Sequence, residues 1–126
     1  MMGGDKKIRR FEDIVAWQKA RELVKVIYQM TNELEGFRKD FGLKDQIRRA
    51  AVSSMSNISE GFARSSDKEF ANFLSIARGS VAEVQSQLYV ALDLGYIDKD
   101  TFNTGYALAD ETSRLLTNFM KYLRKK

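Results

Sequence analysis

Glu60 and the arginines near it are the residues whose types and spacing come closest to an acid–base site. Arg49 and Glu60 fall on one flank of a predicted helix, and Arg64 follows Glu60 by four residues. In a catalytic interpretation, Glu60 would transfer a proton and an arginine would hold an anion. In a structural interpretation, Glu60 pairs with Arg64, and Asn57 hydrogen-bonds across to a neighbouring helix. The structural interpretation is favoured, because the sequence places no second carboxylate to complete a hydrolytic or metal site.

Two residue types that commonly carry catalysis are absent, since the 126 residues include no histidine and no cysteine. Histidine is the most frequent general base and metal ligand in proteins. Cysteine supplies thiolate nucleophiles, disulfides and many zinc sites. We therefore expect a protein that is not an enzyme and that holds no cofactor or metal ion.

Basic residues are concentrated at both ends of the chain. Residues 1–10 contain four lysines and arginines against one acidic residue, and residues 121–126 contain four with no acidic residue. Because the whole chain carries a net charge of +4, the segment between these tails is net acidic. In an antiparallel arrangement of four helices, both tails and the loop with Arg64 and Lys68 share one end. The predicted nucleic-acid-binding residues are Lys6, Lys7, Arg9, Arg10, Arg64, Lys68, Lys121, Arg124, Lys125 and Lys126.

A basic surface of this kind suits a polyanion, and RNA or DNA is the expected partner. No DNA-reading motif is visible, so we expect binding without sequence specificity. The alternative is that the tails compensate helix dipoles or remain solvated, which would leave a structural or protein-binding scaffold. A membrane partner is not expected, since the tails lack an amphipathic apolar face. The N-terminal sequence lacks a secretory apolar segment, so a cytoplasmic location is expected.

The elements that must position these residues are long helices, because apolar residues recur with helical periodicity and no proline interrupts them. The pattern predicts an all-α fold, an antiparallel up-and-down four-helix bundle. Residues 1–10 form a basic tail and residues 11–126 a single domain. The predicted helices begin near residues 12, 42, 66 and 98.

Individual residues mark the helix ends and contacts. Gly36 is predicted to end the first helix, and Ser66 with Glu69 to form a capping box at the third. Asp98 is predicted to cap the fourth helix. Gly79, inside the third helix, indicates close contact between helices, since an uncompensated glycine there costs about 1 kcal/mol.

Four apolar residues lie off the main apolar faces. They are Met30, Leu108, Leu115 and Tyr122. Either the buried faces are wide enough to include them, or they form an oligomer interface, since large exposed apolar patches are rare on monomers.

The central segment also resembles a known family. The residues that carry the resemblance are Phe41-Gly42-Leu43, Gln46 to Ala51, Ser56 to Gly61, Ala77 to Ser80 and Leu94-Gly95-Tyr96, with Phe11 and Trp17 upstream. In this order they are similar to the four-helix bundle proteins encoded by intervening sequences in bacterial 23S rRNA genes. This chain lacks the proline that the family often has in its first loop. The resemblance implies a homo-oligomer, specifically a closed ring of five bundles.

A further resemblance in fold, to accessory variability proteins of retroelements, extends these expectations to partners. Those proteins form rings and engage nucleic acid and a reverse transcriptase, so the analogy implies a protein partner of that kind. Residues and resemblance together predict a non-enzymatic oligomer that acts as a nucleic-acid-binding accessory or adaptor.

Overall fold

The computed structural model describes residues 7–126, which form five α-helices and one short 3-10 turn. In chain order these are the turn Phe11–Asp13, α1 Val15–Glu33, α2 Glu35–Lys39, α3 Phe41–Phe62, α4 Asp67–Asp93 and α5 Lys99–Lys125. No β-strand occurs in this part of the chain. Four long helices, α1, α3, α4 and α5, build the bundle, and α2 belongs to the first connection.

Each long helix packs against two others, since α1 and α4 both contact α3 and α5. The short connections make successive long helices antiparallel, so the predicted all-α, up-and-down four-helix bundle is confirmed. The start of α1, the loop at residues 63–66 and the end of α5 therefore lie together. We call this the basic end. The opposite end carries α2 and the loop between α4 and α5.

The core forms where the apolar faces of the four long helices meet. Leu23, Ile47, Leu74 and Leu116, one from each helix, are completely buried. Burial of each such side chain contributes about 1.5–3 kcal/mol relative to its exposure. The packed apolar faces of these helices therefore form the core that fixes the positions of the helix ends at the basic end.

Aspartates cap two of the long helices. The carboxylate of Asp98 accepts a 2.8 Å hydrogen bond from the amide of Thr101, which confirms the predicted cap. This bond is also the main reason that the pKa of Asp98 lies below its ordinary value. Asp40 caps α3 in the same way through the amide of Leu43 at 3.1 Å, a cap that the sequence analysis missed.

The first connection differs from the prediction. The chain leaves the helix at Leu34, whose backbone is extended, and Gly36 lies inside α2 instead of ending α1. A β-carbon on Gly36 would lie 2.6 Å from Cδ1 of Tyr96, so the glycine allows that ring to approach the backbone. The break redirects the chain so that Phe37 is completely buried. Glycine is therefore required at position 36 because of a contact with Tyr96, a residue far away in the sequence.

Two further predictions are corrected by burial. Met30 is only 6% exposed and belongs to the core, so it is not part of an outer interface. Its helix has a wide buried face because α1 packs against both α3 and α5. Gly79 is exposed, and a β-carbon there would meet no atom within 4 Å. Gly61 instead provides the close approach, with Cβ of Phe73 2.7 Å from where its own β-carbon would lie.

Candidate nucleic-acid interface

An open cleft of about 400 Å³ lies at the basic end, where α3 ends, α4 begins and α5 ends. Three of the predicted basic residues line it: Lys7 from the N-terminal segment, Arg64 from the α3–α4 loop and Lys126 from the end of the chain. These residues come from segments far apart in sequence. The antiparallel bundle brings them together because the start of α1, this loop and the end of α5 lie at the same end of it.

The loop that carries Arg64 is held by the start of α4. The hydroxyl of Ser66 accepts a 3.1 Å hydrogen bond from the amide of Glu69. The Glu69 carboxylate in turn accepts from the hydroxyls of Ser65 and Ser66, at 3.4 and 3.2 Å. Only half of the predicted capping box is therefore formed, because the Glu69 carboxylate accepts from these hydroxyls and not from the amide of Ser66. Both serines of the loop are nevertheless hydrogen-bonded to Glu69.

Four aromatic side chains line the cleft. Phe62, Phe70, Phe119 and Tyr122 follow one another with ring centroids 6.1, 5.1 and 6.3 Å apart. Phe70 and Phe119 are buried, Phe62 is half-buried, and Tyr122 is 40% exposed at the rim. The sequence analysis did not assign the three phenylalanines to a site. Their only sequence signal is that each lies near the helix end that an up-and-down bundle brings to the basic end.

Acidic partners offset part of the charge around the cleft. The guanidinium of Arg64 lies 3.4 Å from a carboxylate oxygen of Glu60 and stacks 4.6 Å from the ring centroid of Phe73. The ammonium of Lys126 lies 3.2 Å from the carboxylate of Asp67. Both pairs are substantially exposed, so each contributes about 0–1 kcal/mol to stability. Their cations remain within reach of a ligand.

The other predicted basic residues within residues 7–126 lie at the basic end but do not line the cleft. Arg10 forms long ion pairs with Glu12 at 4.0 Å and Asp13 at 3.8 Å. Lys68, Lys121, Arg124 and Lys125 are exposed and form no ion pair within residues 7–126. Lys6 lies outside the described residues.

One carboxylate binds the backbone of the N-terminal segment. The amides of Arg9 and Arg10 donate to Asp13 at 3.0 and 3.2 Å. These bonds, that from Arg9 foremost, lower the pKa of Asp13 from its ordinary value. Asp13 therefore stays charged at neutral pH and keeps this basic segment close to the start of α1.

The polar residues that suggested acid–base chemistry do not form a reactive group. Glu60 pairs with Arg64 as the structural interpretation predicts, and it does not line the cleft. Arg49 pairs with Asp45 at 2.9 Å, one turn earlier in α3. Within the part of the chain that the structure describes, no three acidic, histidine or cysteine residues cluster to hold a metal ion.

The prediction that Asn57 bonds to a neighbouring helix is wrong. Its amide donates to the carbonyl and hydroxyl of Ser53, at 2.9 and 3.0 Å, within α3 itself. The predicted bond between helices is made instead by the hydroxyls of Ser53 and Ser80, 2.9 Å apart. Asn57 thus supports the contact indirectly by holding Ser53.

The described helices include none that is both long and apolar enough to cross a membrane.

Comparison with known proteins gives a consistent result. The sequence profile of the family described as 23S rRNA-intervening sequence protein matches residues 12–118. The chain is also similar to a protein of unknown function from the S23 ribosomal protein family of Bacteroides thetaiotaomicron VPI-5482, known from its crystal structure. The two share 25% sequence identity with a TM-score of 0.79, covering 84% of this chain and 98% of that chain. No curated protein matches this chain.

Proposed function

This chain belongs to the 23S rRNA-intervening sequence protein family, and we propose that it binds nucleic acid without sequence specificity through its basic end. The observation that carries this proposal is the convergence of Lys7, Arg64 and Lys126, from three separate segments, on one cleft. The exposed residues Lys121 and Arg124 enlarge the same surface. Such a protein acts as an accessory or adaptor on a nucleic acid.

The proposed interaction depends on phosphate contacts. Exposed lysines and arginines release the counterions of the nucleic acid as they neutralise phosphates, so affinity falls steeply with salt. Long side chains around helix ends suit phosphates, which carry no sequence information. Because Glu60 and Asp67 offset part of the charge, we expect modest affinity.

The proposal includes the absence of enzymatic activity. The candidate acid or base, Glu60, is exposed and already paired with Arg64. A general base must reach a substrate proton in a plausible pose, and the cleft does not include this carboxylate. The cytoplasmic location and a reverse transcriptase as protein partner stay predictions.

We further propose that the protein is a homo-oligomer, and that the outer face of α4 is its contact surface. Ile76 is 53% exposed, and Val90, about four turns later on the same side of the helix, is exposed as well. Of the residues predicted on α5, Leu108 and Leu115 are partly buried against the core. Tyr122 lines the cleft instead. The subunit number of five rests on the family resemblance alone.

The alternative function is a scaffold whose basic residues bind no nucleic acid. The exposed apolar face of α4 favours it, because such a surface serves a protein partner equally well. Salt dependence separates the two functions, since only phosphate contacts weaken steeply between about 50 and 200 mM salt.

The proposal is tested by neutralising charge without shortening the chain. Removal of residues 121–126 would also delete Leu123, which is buried in the core. A variant with glutamine at Lys68, Lys121, Arg124 and Lys125 avoids this defect, because all four side chains are exposed. The matched control has glutamine at Arg38, Lys39, Lys44 and Lys99, near the opposite end, and loses the same charge.

Fluorescence anisotropy with labelled single-stranded RNA and duplex DNA, at about 50 and 200 mM salt, gives the readout. We expect the intact protein to bind at low salt and to lose affinity at high salt. The basic-end variant should bind at least tenfold more weakly, and the control variant should keep most of the affinity. Equal losses in both variants would show attraction by net charge alone, and no binding by the intact protein would leave the scaffold function.

A further inference from the structure

We propose that the cleft at the basic end takes one unstacked nucleotide of a single strand, with its base against the exposed ring of Tyr122 and its phosphate near the cations. This inference rests on the proposed function and adds to it a preference for single-stranded over duplex nucleic acid. It depends on the side chains that line the cleft, which are aromatic and acidic as well as basic.

The cleft has the size of a small-ligand site. Its volume of about 400 Å³ falls within the range of about 300–1,000 Å³ that is typical of small-ligand sites. A cleft of this size suits one nucleotide and excludes a duplex. A phosphate-binding surface alone requires no concavity of this kind.

One exposed aromatic ring lines the cleft beside its basic residues. Phe62, Phe70, Phe119 and Tyr122 form a continuous series of rings. Phe70 and Phe119 are buried, so the ring of Tyr122, which is 40% exposed, is the one available to a base. Proteins that bind single strands commonly stack bases on such rings, in grooves with basic residues that follow the backbone. Here Lys7, Arg64 and Lys126 supply those basic residues.

An acidic residue, Asp67, also lines the cleft. Its carboxylate lies 3.2 Å from Lys126 and would repel a small inorganic anion. A ligand for this cleft must therefore bring more than negative charge. A nucleotide does so, because its base gains contact with the ring of Tyr122 while its phosphate approaches Lys7 and Arg64.

The preference for a single strand follows from access to the base. In a duplex the bases are stacked and paired inside the helix, whereas unpaired bases can turn outward onto aromatic side chains. The cleft lies in the end of the bundle, bounded by helix ends, so a paired base cannot enter it. Duplex binding would use only the surrounding lysines and arginines.

Tyr122 provides the sharpest test, because Tyr28 is a matched control. The two are 40% and 41% exposed, and each carries a cation over its ring, Lys126 at 5.7 Å and Arg48 at 4.3 Å. Tyr28 lies on α1, outside the cleft. The variants are Tyr122→Leu, Tyr122→Phe and Tyr28→Leu, with circular dichroism and sedimentation to verify fold and subunit number.

Each variant is titrated with a short single-stranded RNA and with a duplex of the same length. We expect Tyr122→Leu to weaken single-strand binding about tenfold, as loss of one stacking contact does, and to leave duplex binding within about twofold. Tyr122→Phe keeps the ring and should bind like the intact protein, as should Tyr28→Leu.

Two results would overturn this inference while the proposed function stands. One is equal weakening of single-strand and duplex binding by Tyr122→Leu, and the other is no effect on either. A free nucleoside monophosphate that competes as strongly as the strand would also overturn it, and would assign the cleft to a small nucleotide. If the intact protein binds neither nucleic acid, the proposed function itself fails.

Discussion

The ammonium of Lys126 lies 3.2 Å from the carboxylate of Asp67, so the last residue of the chain contacts the first residue of α4. This pair joins two segments of the basic end and lines its cleft. It also reduces the charge that is available to a polyanion. Asp67 is therefore the acidic residue whose removal should most directly change binding there.

Replacement of Asp67 by asparagine should strengthen nucleic-acid binding about two- to fivefold near 100 mM salt, since it frees one cation for a phosphate. Asp100→Asn is the control, because Asp100 likewise occupies the first turn of its helix but lies at the opposite end. Each change should cost less than about 1 kcal/mol of stability, as expected for exposed charges near a helix start. Anisotropy titrations measure the affinities. Weaker binding by Asp67→Asn would mean that this carboxylate takes part in recognition.

Replacement of Gly61 by alanine should destabilise the bundle by about 1–2 kcal/mol. Its β-carbon would lie 2.7 Å from Cβ of Phe73 and 2.9 Å from Cδ1 of Phe70, and α3 and α4 would have to separate. Gly42→Ala on the same helix is the control, since its nearest neighbour would be 3.8 Å away. Urea unfolding gives both values. Equal stability of the two variants would show that α3 and α4 can separate without cost.

Replacement of Ile76 by glutamate should dissociate the proposed oligomer, because it places a charge on the outer face of α4. The fold should be retained, since Ile76 is exposed in the single chain. Phe41→Glu is the control, as Phe41 is also exposed but lies at the opposite end of the bundle. Sedimentation velocity at several concentrations measures subunit number. A monomeric intact protein, or an unchanged oligomer in Ile76→Glu, would contradict the proposed contact surface.

Replacement of Asp98 by asparagine should make the protein less sensitive to acid. The hydrogen bond from Thr101 lowers the pKa of Asp98 below its ordinary value of 3.8. The stabilisation is thus complete above that value and is lost as pH falls through the lowered pKa. Asparagine caps a helix about as well but does not titrate in this range.

Thermal unfolding from about pH 7 down to pH 2 tests this difference, across the range in which carboxylates titrate. The intact protein and Asp98→Asn should have similar melting temperatures near neutral pH. The intact protein should then lose more stability in acid. If the melting temperatures of both proteins fell equally with pH, the Asp98 cap would contribute nothing to the loss of stability in acid.

The bundle itself could be predicted from the sequence, because its determinants are local. Apolar periodicity sets the buried face of each helix, and the cap at Asp98 requires only the amide of Thr101 three residues away. The pairing of Glu60 with Arg64 is also local, since one helical turn separates them. Such features depend only on residues close together in the sequence, so they can be predicted from the sequence alone.

Features that depend on the neighbouring helix were decided only by the tertiary structure. Met30 is buried because α1 faces two helices, and Gly36 is required because Tyr96 packs against it from the loop that follows α4. The cleft is the clearest case, since Phe62, Phe70 and Phe119 come from three helices. The sequence alone determined the helices, their antiparallel order and the basic ends of the chain. The tertiary structure decided which side chains meet at the basic end. Their meeting depends on how each helix is rotated about its axis and shifted along it in the packed core, and no local sequence pattern encodes these two quantities.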